Sequence, residues 1–373
     1  MEERTPSVAT LGRLRRAAAQ RATALLPVLD ELSRPRLVPA ATDEIFFGQK
    51  PCLMAVEQHS LCWVSGRLAD RRDGEEWARE FRQLPTLRQT SQDSGTGLVK
   101  GLDIVNQERQ QQGRGAVVAQ DDHFHVQREG RRALRRVQGG VAKRITKAEE
   151  ADRKAAKKER QTGDGRGKGA AAKAWRRAEQ AFDAWSAADA AWAEIEGALQ
   201  LFTPEGALNS RARATAVIEA ALPRLSGAAW SKVRRQLRRP QLLTFLDQVQ
   251  AGLSSLLVPP ELVEAAVRVE GLRRQPEVLR GEGPTPGARR GVLLAAGLIL
   301  SLSGETGCQA VGRVCGVLRG VWRASSLVEC LNSVARMQQG RHRKMTQGLL
   351  DLKRVYWNGR AFRTGKRSEE VAG

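Results

Sequence analysis

No run of apolar residues in this chain is long enough to cross a membrane. The longest, from about Gly291 to Leu300, is near half of the ~20 residues that a spanning helix needs. The opening MEERTPS is charged and leads into an arginine-rich run, so no secretory signal with an apolar centre is read there. Cysteine is scarce: Cys52, Cys62, Cys308, Cys315 and Cys330 form no CxxC pair, and an odd count does not suit a disulfide framework. A cytoplasmic protein is the expectation. Cys52, His59 and Cys62 lack a fourth ligand in a strand-like segment, and they read as ordinary thiols and a surface histidine rather than zinc ligands. Acidic charge is short as well, with 41 Asp and Glu against 62 Lys and Arg, a net charge of +21. Such a balance points to a polyanionic partner.

What is present can fill a core: 41% of the residues are apolar and 28% charged, which excludes wholesale disorder. The length of 373 residues favours two domains, or one core with a large insertion. Thr10 to Leu32 reads as a helix ended by SRPRLVPA. Short runs rich in Val, Phe, Cys and Trp follow at 43–47, 52–56 and 60–66, separated by polar turns, as strands are. A helix in GEEWAREFRQLP, a strand into Asp93, a helix from Leu98 to about Arg109 and a strand in AVVAQDD come next. Three strands, then helix, strand, helix, strand, predict an α/β fold with a mixed sheet and flanking helices.

After Phe124 the strand pattern stops. Gln127 to Arg160 reads as one long basic helix with 13 Lys and Arg against 5 acids. Beyond the break TGDGRGKG, the residues Trp175, Phe182, Trp185, Trp192 and Leu199 fall on seam positions of a heptad, so an aromatic stripe is expected to be buried against a neighbour. More helices are expected at 211–221, 229–238 and 242–257, then a linker at 279–290, LRGEGPTPGARR. A helix from about Cys308 to Gln339 completes the pattern. Between Arg336 and Arg367 stand 10 basic residues and 1 acid, so the positive charge is clustered in two runs, and a phosphate-binding surface is expected there.

Three acids stand out by context: Asp43 opening the first strand in TDEIFFG, Asp93 ending a strand in TSQDSGTGLVKGL, and Glu329 midway along the late helix. A carboxylate beside an apolar run must be satisfied by a partner or a metal. Each also has a plain reading, as a turn residue, a helix N-cap and a solvated helix position. Trp322, Ser325, Asn332, Ser333 and Arg336 share the side of the helix on which Glu329 lies, a polar stripe opposite an apolar one.

The segments TDEIFFGQKPCLMAVEQHSLCWV, DSGTGLVKGL and RASSLVECLNSVARMQQGRHRKMTQGLLDLKRVYWNGRAFRTGKR resemble the catalytic core of bacterial insertion-sequence transposases of the DDE type, from about Leu29 to Arg367. The resemblance implies a ribonuclease H-like mixed sheet with flanking helices, on which Asp43, Asp93 and Glu329 hold two Mg²⁺ or Mn²⁺ ions. It implies cleavage and joining of DNA strands by water and then a 3′-hydroxyl, with no covalent protein intermediate. The 236 residues between Asp93 and Glu329 exceed what a sheet-to-helix connection needs. In that family the interval commonly houses an insertion, here expected to be all-helical, about 130–305, between the core parts 41–129 and 306–373. DHFH, residues 122–125, resembles an element that ends the fifth strand in related enzymes, and its His125 is a candidate for the scissile phosphate, alongside the reading of a packed strand-end histidine.

The implied partners are transposon ends and target DNA, in a nucleoid-associated protein acting as a homodimer on DNA. Trp322, Arg323, Arg336, Arg341, Arg343, Lys353 and Arg354 are candidates for DNA contacts. Tyrosine-recombinase chemistry is disfavoured, since the single tyrosine, Tyr356, is not accompanied by an HxxR box: Met345 follows His342 at that spacing. Only about 42 residues precede Asp43 where such transposases usually carry a DNA-recognition region, so a truncated copy is expected, and a catalytically inactive DNA-binding relic is the alternative.

Overall fold

A computed structural model describes residues 7–163, 165–275, 280, 286–341 and 344–360. The chain divides into two compact units, one of Met1–Phe124 with Trp322–Gly373 and the other of His125–Val321. No helix among the described residues is long and apolar enough to cross a membrane.

The first unit is α/β. Strands β1 (Pro39–Phe47), β2 (Lys50–Glu57) and β3 (Trp63–Leu68) form an antiparallel meander, the order of elements expected from the alternating runs. Helix α2 (Gly74–Arg82) then leads to β4 (Gln89–Gln92), and α3 (Thr96–Gln111) to β5 (Val118–Asp121). Both late strands lie parallel to β1, giving the sheet order β3-β2-β1-β4-β5. Strand β1 begins earlier than expected, at Pro39, so Asp43 lies inside it and does not open it. Its first residues, PAA, are small and poor strand formers. Pairing with β4 on one side and β2 on the other overrides that weak preference.

Both faces of the sheet are covered, which is why its strands read as near-continuous apolar runs. Helices α2 and α3 cover one face, where Trp77, Phe81, Leu98 and Leu102 meet Leu53 and Ala55. Gly97 on α3 allows a close approach to the segment before α2: a Cβ there would fall 1.9 Å from the carbonyl oxygen of Arg72. On the other face, Ile45, Met54 and Val56 meet Val328, Leu331 and Leu350. These come from two late helices, Ser326–Arg341 and Gln347–Gly359, which are α12 and α13 once the second unit is numbered.

The edge strand β3 is protected by side-chain amides of α13. The Trp63 N–H donates to Asn358 Oδ1 at 2.8 Å, and Asn358 Nδ2 donates to the Trp63 carbonyl at 3.0 Å. Gln347 takes the Leu68 N–H at 2.9 Å and donates to the Gly66 carbonyl at 2.9 Å. Two amides eleven residues apart thus satisfy edge groups that would otherwise template pairing with another chain. Helix α1 (Val8–Ser33) lies on α13, tied by Thr23 donating to Asp351 at 2.6 Å and by a buried Arg354–Asp30 ion pair.

The second unit is helical, apart from an isolated bridge between Phe202 and Leu208. Helices α4 (His123–Thr162) and α5 (Gly167–Ala198) are its longest, 40 and 32 residues. Ala133, Val141, Ala148 and Ala155 on α4 and Ala171, Ala178, Ala188 and Ala191 on α5 are buried, small residues that let the two backbones come close. The aromatic stripe is buried only at its C-terminal end. Trp192 and Leu199 are in the core, whereas Trp175 and Trp185 are half-buried and Phe182 is 49% exposed. Alanines three or four positions away, Ala171, Ala178 and Ala188, are buried instead, because a row of indoles would hold the helices apart.

Helices α6 (Arg211–Ala221), α7 (Ser231–Leu237), α8 (Thr244–Ser254), α9 (Pro260–Arg273), α10 (Pro286–Leu302) and α11 (Gly304–Arg319) complete this unit. Helix α11 was expected to belong to the core's final region and to run on through Glu329. It ends instead at Gly320 and is grouped with the second unit. Half of the expected linker at 279–290, residues 279 and 281–285, lies outside the described residues, and its last five residues are instead the start of α10.

Gly130 on α4 marks a tight approach within this unit: a Cβ there would lie 2.0 Å from the Trp192 ring, which is itself packed on Trp230 at 5.8 Å. Gly130→Ala is expected to destabilise the protein by about 1–3 kcal/mol through overpacking, read as a lower urea midpoint. An unchanged midpoint would mean that Trp192 is free to move.

Candidate active site on the sheet face

The register of the sheet gathers the acids. Thr42 pairs with Gln92 and Gln92 with Asp121, so Asp43, Asp93 and Asp122 are each the next residue on three adjacent parallel segments. The Asp122 N–H donates to the Gln92 carbonyl at 2.9 Å, continuing that register. Side chains alternate along a strand, so all three acids share the face of Ala41 and Ile45, the face that α12 covers. With strands about 4.8 Å apart, the three α-carbons span roughly 10 Å.

Helix α12 locks onto the two ends of this row. Asn332 Nδ2 donates to Asp43 Oδ2 at 2.6 Å, and Ser325 Oγ, just before the helix, donates to Asp122 Oδ2. Glu329 lies one turn after Ser325 and one turn before Asn332. All three therefore lie on the side of α12 that these two bonds turn toward the sheet. Asp43 is 7% exposed and Asp122 1%, so both carboxylates need these partners. Asp43 Oδ1 also accepts its neighbour's N–H, from Glu44, at 2.8 Å, and Asp122 Oδ1 that of Phe124 at 2.7 Å. Asp93 is half-buried at the end of β4 and accepts the Gly95 N–H at 3.0 Å. It is not the cap of α3, whose N-cap is Gly95.

Glu329 was expected midway along a continuous helix and is found in the first turn of α12. The break before it has a clear cause. Carbonyls of the strap Trp322–Ala324 are taken by donors of the first unit: Gln89 Nε2 reaches Trp322 at 3.3 Å, the His123 N–H reaches Arg323 at 2.9 Å and Gln58 Nε2 reaches Ala324 at 3.3 Å. A helix through this segment would need those carbonyls for itself. Gln58 also donates to Ser91 Oγ at 3.2 Å, so buried polar residues of the sheet fix the strap that aims Glu329.

Other anticipated residues separate into distinct fates. Trp322 meets the His59 ring edge-on at 5.2 Å and is half-buried, as are Arg323 and Lys353, and Arg336 is exposed on α12 two turns beyond Glu329. His125 opens the second unit on the first turn of α4 and is half-buried. Arg354 is corrected: it is 8% exposed, its Nε donates to the Trp63 carbonyl at 2.6 Å, and its Nη1 donates to Asp30 at 3.0 Å. Buried and paired, it holds α13 to α1 and does not face a phosphate. Arg341 is the last residue of α12, with its side chain outside the described residues, as are Arg343 and the FRTGKR block at 362–367.

Asp122 stands out in the sequence only as part of the DHFH block. The signal that places it is register: AVVAQDD runs parallel to TSQD, and aligning their ends puts Asp122 beside Asp93.

The donor set suits a hard divalent cation in kind, since it is all oxygen, and Asn332 Oδ1 is a buried amide oxygen without a hydrogen-bond partner beside Asp43. As the side chains stand, no three His, Cys, Asp or Glu among the described residues are close enough to hold a metal ion. Asp43 would have to exchange the Asn332 amide for the ion. The chain matches no protein-family model, and no curated protein matches it.

Loss of the Arg354 guanidinium would leave Asp30 with Arg34 alone, 3.1 Å away. Arg354→Met is expected to cost about 3 kcal/mol, since breaking a buried pair leaves an uncompensated charge, while DNA affinity of the folded protein stays unchanged. Urea denaturation with a DNA-binding titration separates the two. Weakened DNA binding at unchanged stability would restore Arg354 as a phosphate ligand.

Proposed function

We propose that the chain is a DDE-type transposase core with a ribonuclease H-like first unit, which cuts and joins DNA strands with Mg²⁺ or Mn²⁺. The observation that carries this reading is the placement of Asp43 and Asp93 on adjacent parallel strands, on the face where α12 brings Glu329 between Ser325 and Asn332. Two further features support it. The helical unit His125–Val321 falls between β5 and the helix bearing the glutamate, where the resemblance puts an insertion. Positive charge is in excess by 21, as a DNA partner demands.

In this reading Asp43, Asp93 and Glu329 hold two divalent ions. The ions supply charge stabilisation at the attacking and leaving oxygens of a phosphodiester. The chain's own residues position and bind. Asn332 holds the Asp43 carboxylate toward the helix, and Ser325 with Asp122 fixes the start of α12. Arg336, exposed on the side of Glu329, is placed for a phosphate beside the scissile one, with Trp322 and Arg323 contributing to grip. A homodimer on DNA is part of the proposal. His125 is given no role.

A second reading is favoured by one observation: Asp43 and Asp122 are already satisfied by an amide and a hydroxyl, as in a relic that binds DNA without cutting it. Supercoiled plasmid separates the two. The catalytic reading expects nicking that requires Mg²⁺ or Mn²⁺ and falls at least about a hundredfold, roughly 2.7 kcal/mol of barrier, in both Asp43→Asn and Glu329→Gln. Nicking that persists in those variants, or salt-sensitive binding with no cleavage in either metal, would discard catalysis.

A further inference from the structure

Between α4 and α5 of the second unit runs an open groove of about 620 Å³. Small residues, Gly140, Ala181 and Ala184 among them, and three arginines, Arg136, Arg144 and Arg177, line it. No acid lines it. All three arginines are exposed, and none is held in an ion pair among the described residues. Elsewhere in the unit Arg131, Arg211, Arg224, Arg268 and Arg274 each have a carboxylate partner.

The surroundings strengthen the field. From Gly130 to Ala148, α4 carries seven Lys and Arg and not one acid. Ala229, also on the groove, leads into α7, where SKVRRQLRR, residues 231–239, adds five basic residues and no acid. Like charges this dense repel one another and are retained at a cost unless a polyanion covers them. Arg136 and Arg144, eight residues apart, are about 12 Å apart along the helix. Phosphates of a DNA strand recur every 3.4 Å or so along the duplex axis, so these two arginines reach phosphates about three to four steps apart. Small lining residues let a sugar-phosphate strand sit low between the helices, where a row of long side chains would keep it out.

We propose that this groove is a DNA-binding site that grips the phosphate backbone without reading sequence. Arg136, Arg144 and Arg177 are the residues that hold it. The site stands on the geometry of the second unit alone and would hold DNA whether or not the carboxylates of the first unit catalyse anything.

Fluorescence anisotropy of the full chain with a labelled 30-base-pair duplex between 50 and 200 mM salt tests this. The variant Arg136→Gln/Arg144→Gln/Arg177→Gln is expected to bind at least tenfold more weakly, with its log K against log salt slope flatter by about 2.7, or 0.9 for each phosphate that is no longer neutralised. The single change Ala184→Glu, which puts a carboxylate on the groove, should weaken binding in the same direction at unchanged Tm. The control Arg13→Gln/Arg16→Gln/Arg21→Gln removes equal charge from exposed positions of α1 and should leave most of the affinity. An equal loss in that control, or unaltered DNA affinity in both groove variants, overturns the site. So does a groove variant that loses binding to phosphatidylserine vesicles but keeps it to DNA. Asp43→Asn, which abolishes cleavage under the proposed function, should bind the duplex as the unmodified chain does, so failure of catalysis and failure of the groove are distinguishable.

Discussion

Buried carboxylates must have partners, and in the first unit that demand ties the sheet to its covering helix. Register and strand alternation put Asp43 and Asp122 on one face, at 7% and 1% exposure. Neither could persist there as an anion without a donor. Asn332 and Ser325 are those donors, and because they stand seven residues apart, bonding both acids fixes the rotation and the start of α12 together. Glu329 is placed by the same two bonds. It stands four residues after Ser325 and three before Asn332, so the helical repeat alone puts it on the side of α12 that faces the sheet.

The polar centre of the sheet follows from the same constraint. Gln58, Gln89, Ser91 and Gln120 are buried in a region where a sheet covered on both faces would ordinarily carry Val or Ile. Two of these amides hold the strap that precedes α12. Apolar substitutes would leave strap carbonyls unsatisfied, at about 1–3 kcal/mol each. The strap would then be free to join α11 and α12 into one helix, as its sequence alone suggests. A local preference for helix is thus overruled by hydrogen bonds from elements more than 200 residues earlier.

That overruling explains what could be read in advance and what could not. The succession of three strands, helix, strand, helix and strand is written in local periodicity, and so are the long basic helix and Asp93 at a strand end. The break at Gly320–Ser325 depends on Gln58, Gln89 and His123, which no window around it contains. Arg354 misled for a related reason. Gln347, Asp351, Arg354 and Asn358 form a polar stripe on α13 that looks solvated, yet it satisfies the edge of β3 and the acids of α1. On a single helix, a stripe facing water and one facing an edge strand have the same pattern. The aromatic stripe of α5 failed at the level of volume: heptad spacing marks a seam, but alanines about one turn away offer a closer approach than indoles do.

The two units treat charge in opposite ways, and this bears on how each would meet DNA. In the first unit, the anticipated cation Arg354 is consumed internally, Asp43 and Asp122 are buried under α12, and Arg336 stands exposed two turns beyond Glu329. In the second, basic residues outnumber acids along the groove-facing stretch of α4, and the guanidiniums at the groove stand free of carboxylates. Grip that depends on many unpaired charges is strong at low salt and indifferent to sequence. Chemistry at a phosphate needs the opposite: few groups, buried, each held by a directional bond. Under the proposed function, separating the two demands between a helical unit and a sheet face would let charge for DNA accumulate without desolvating or displacing the carboxylates.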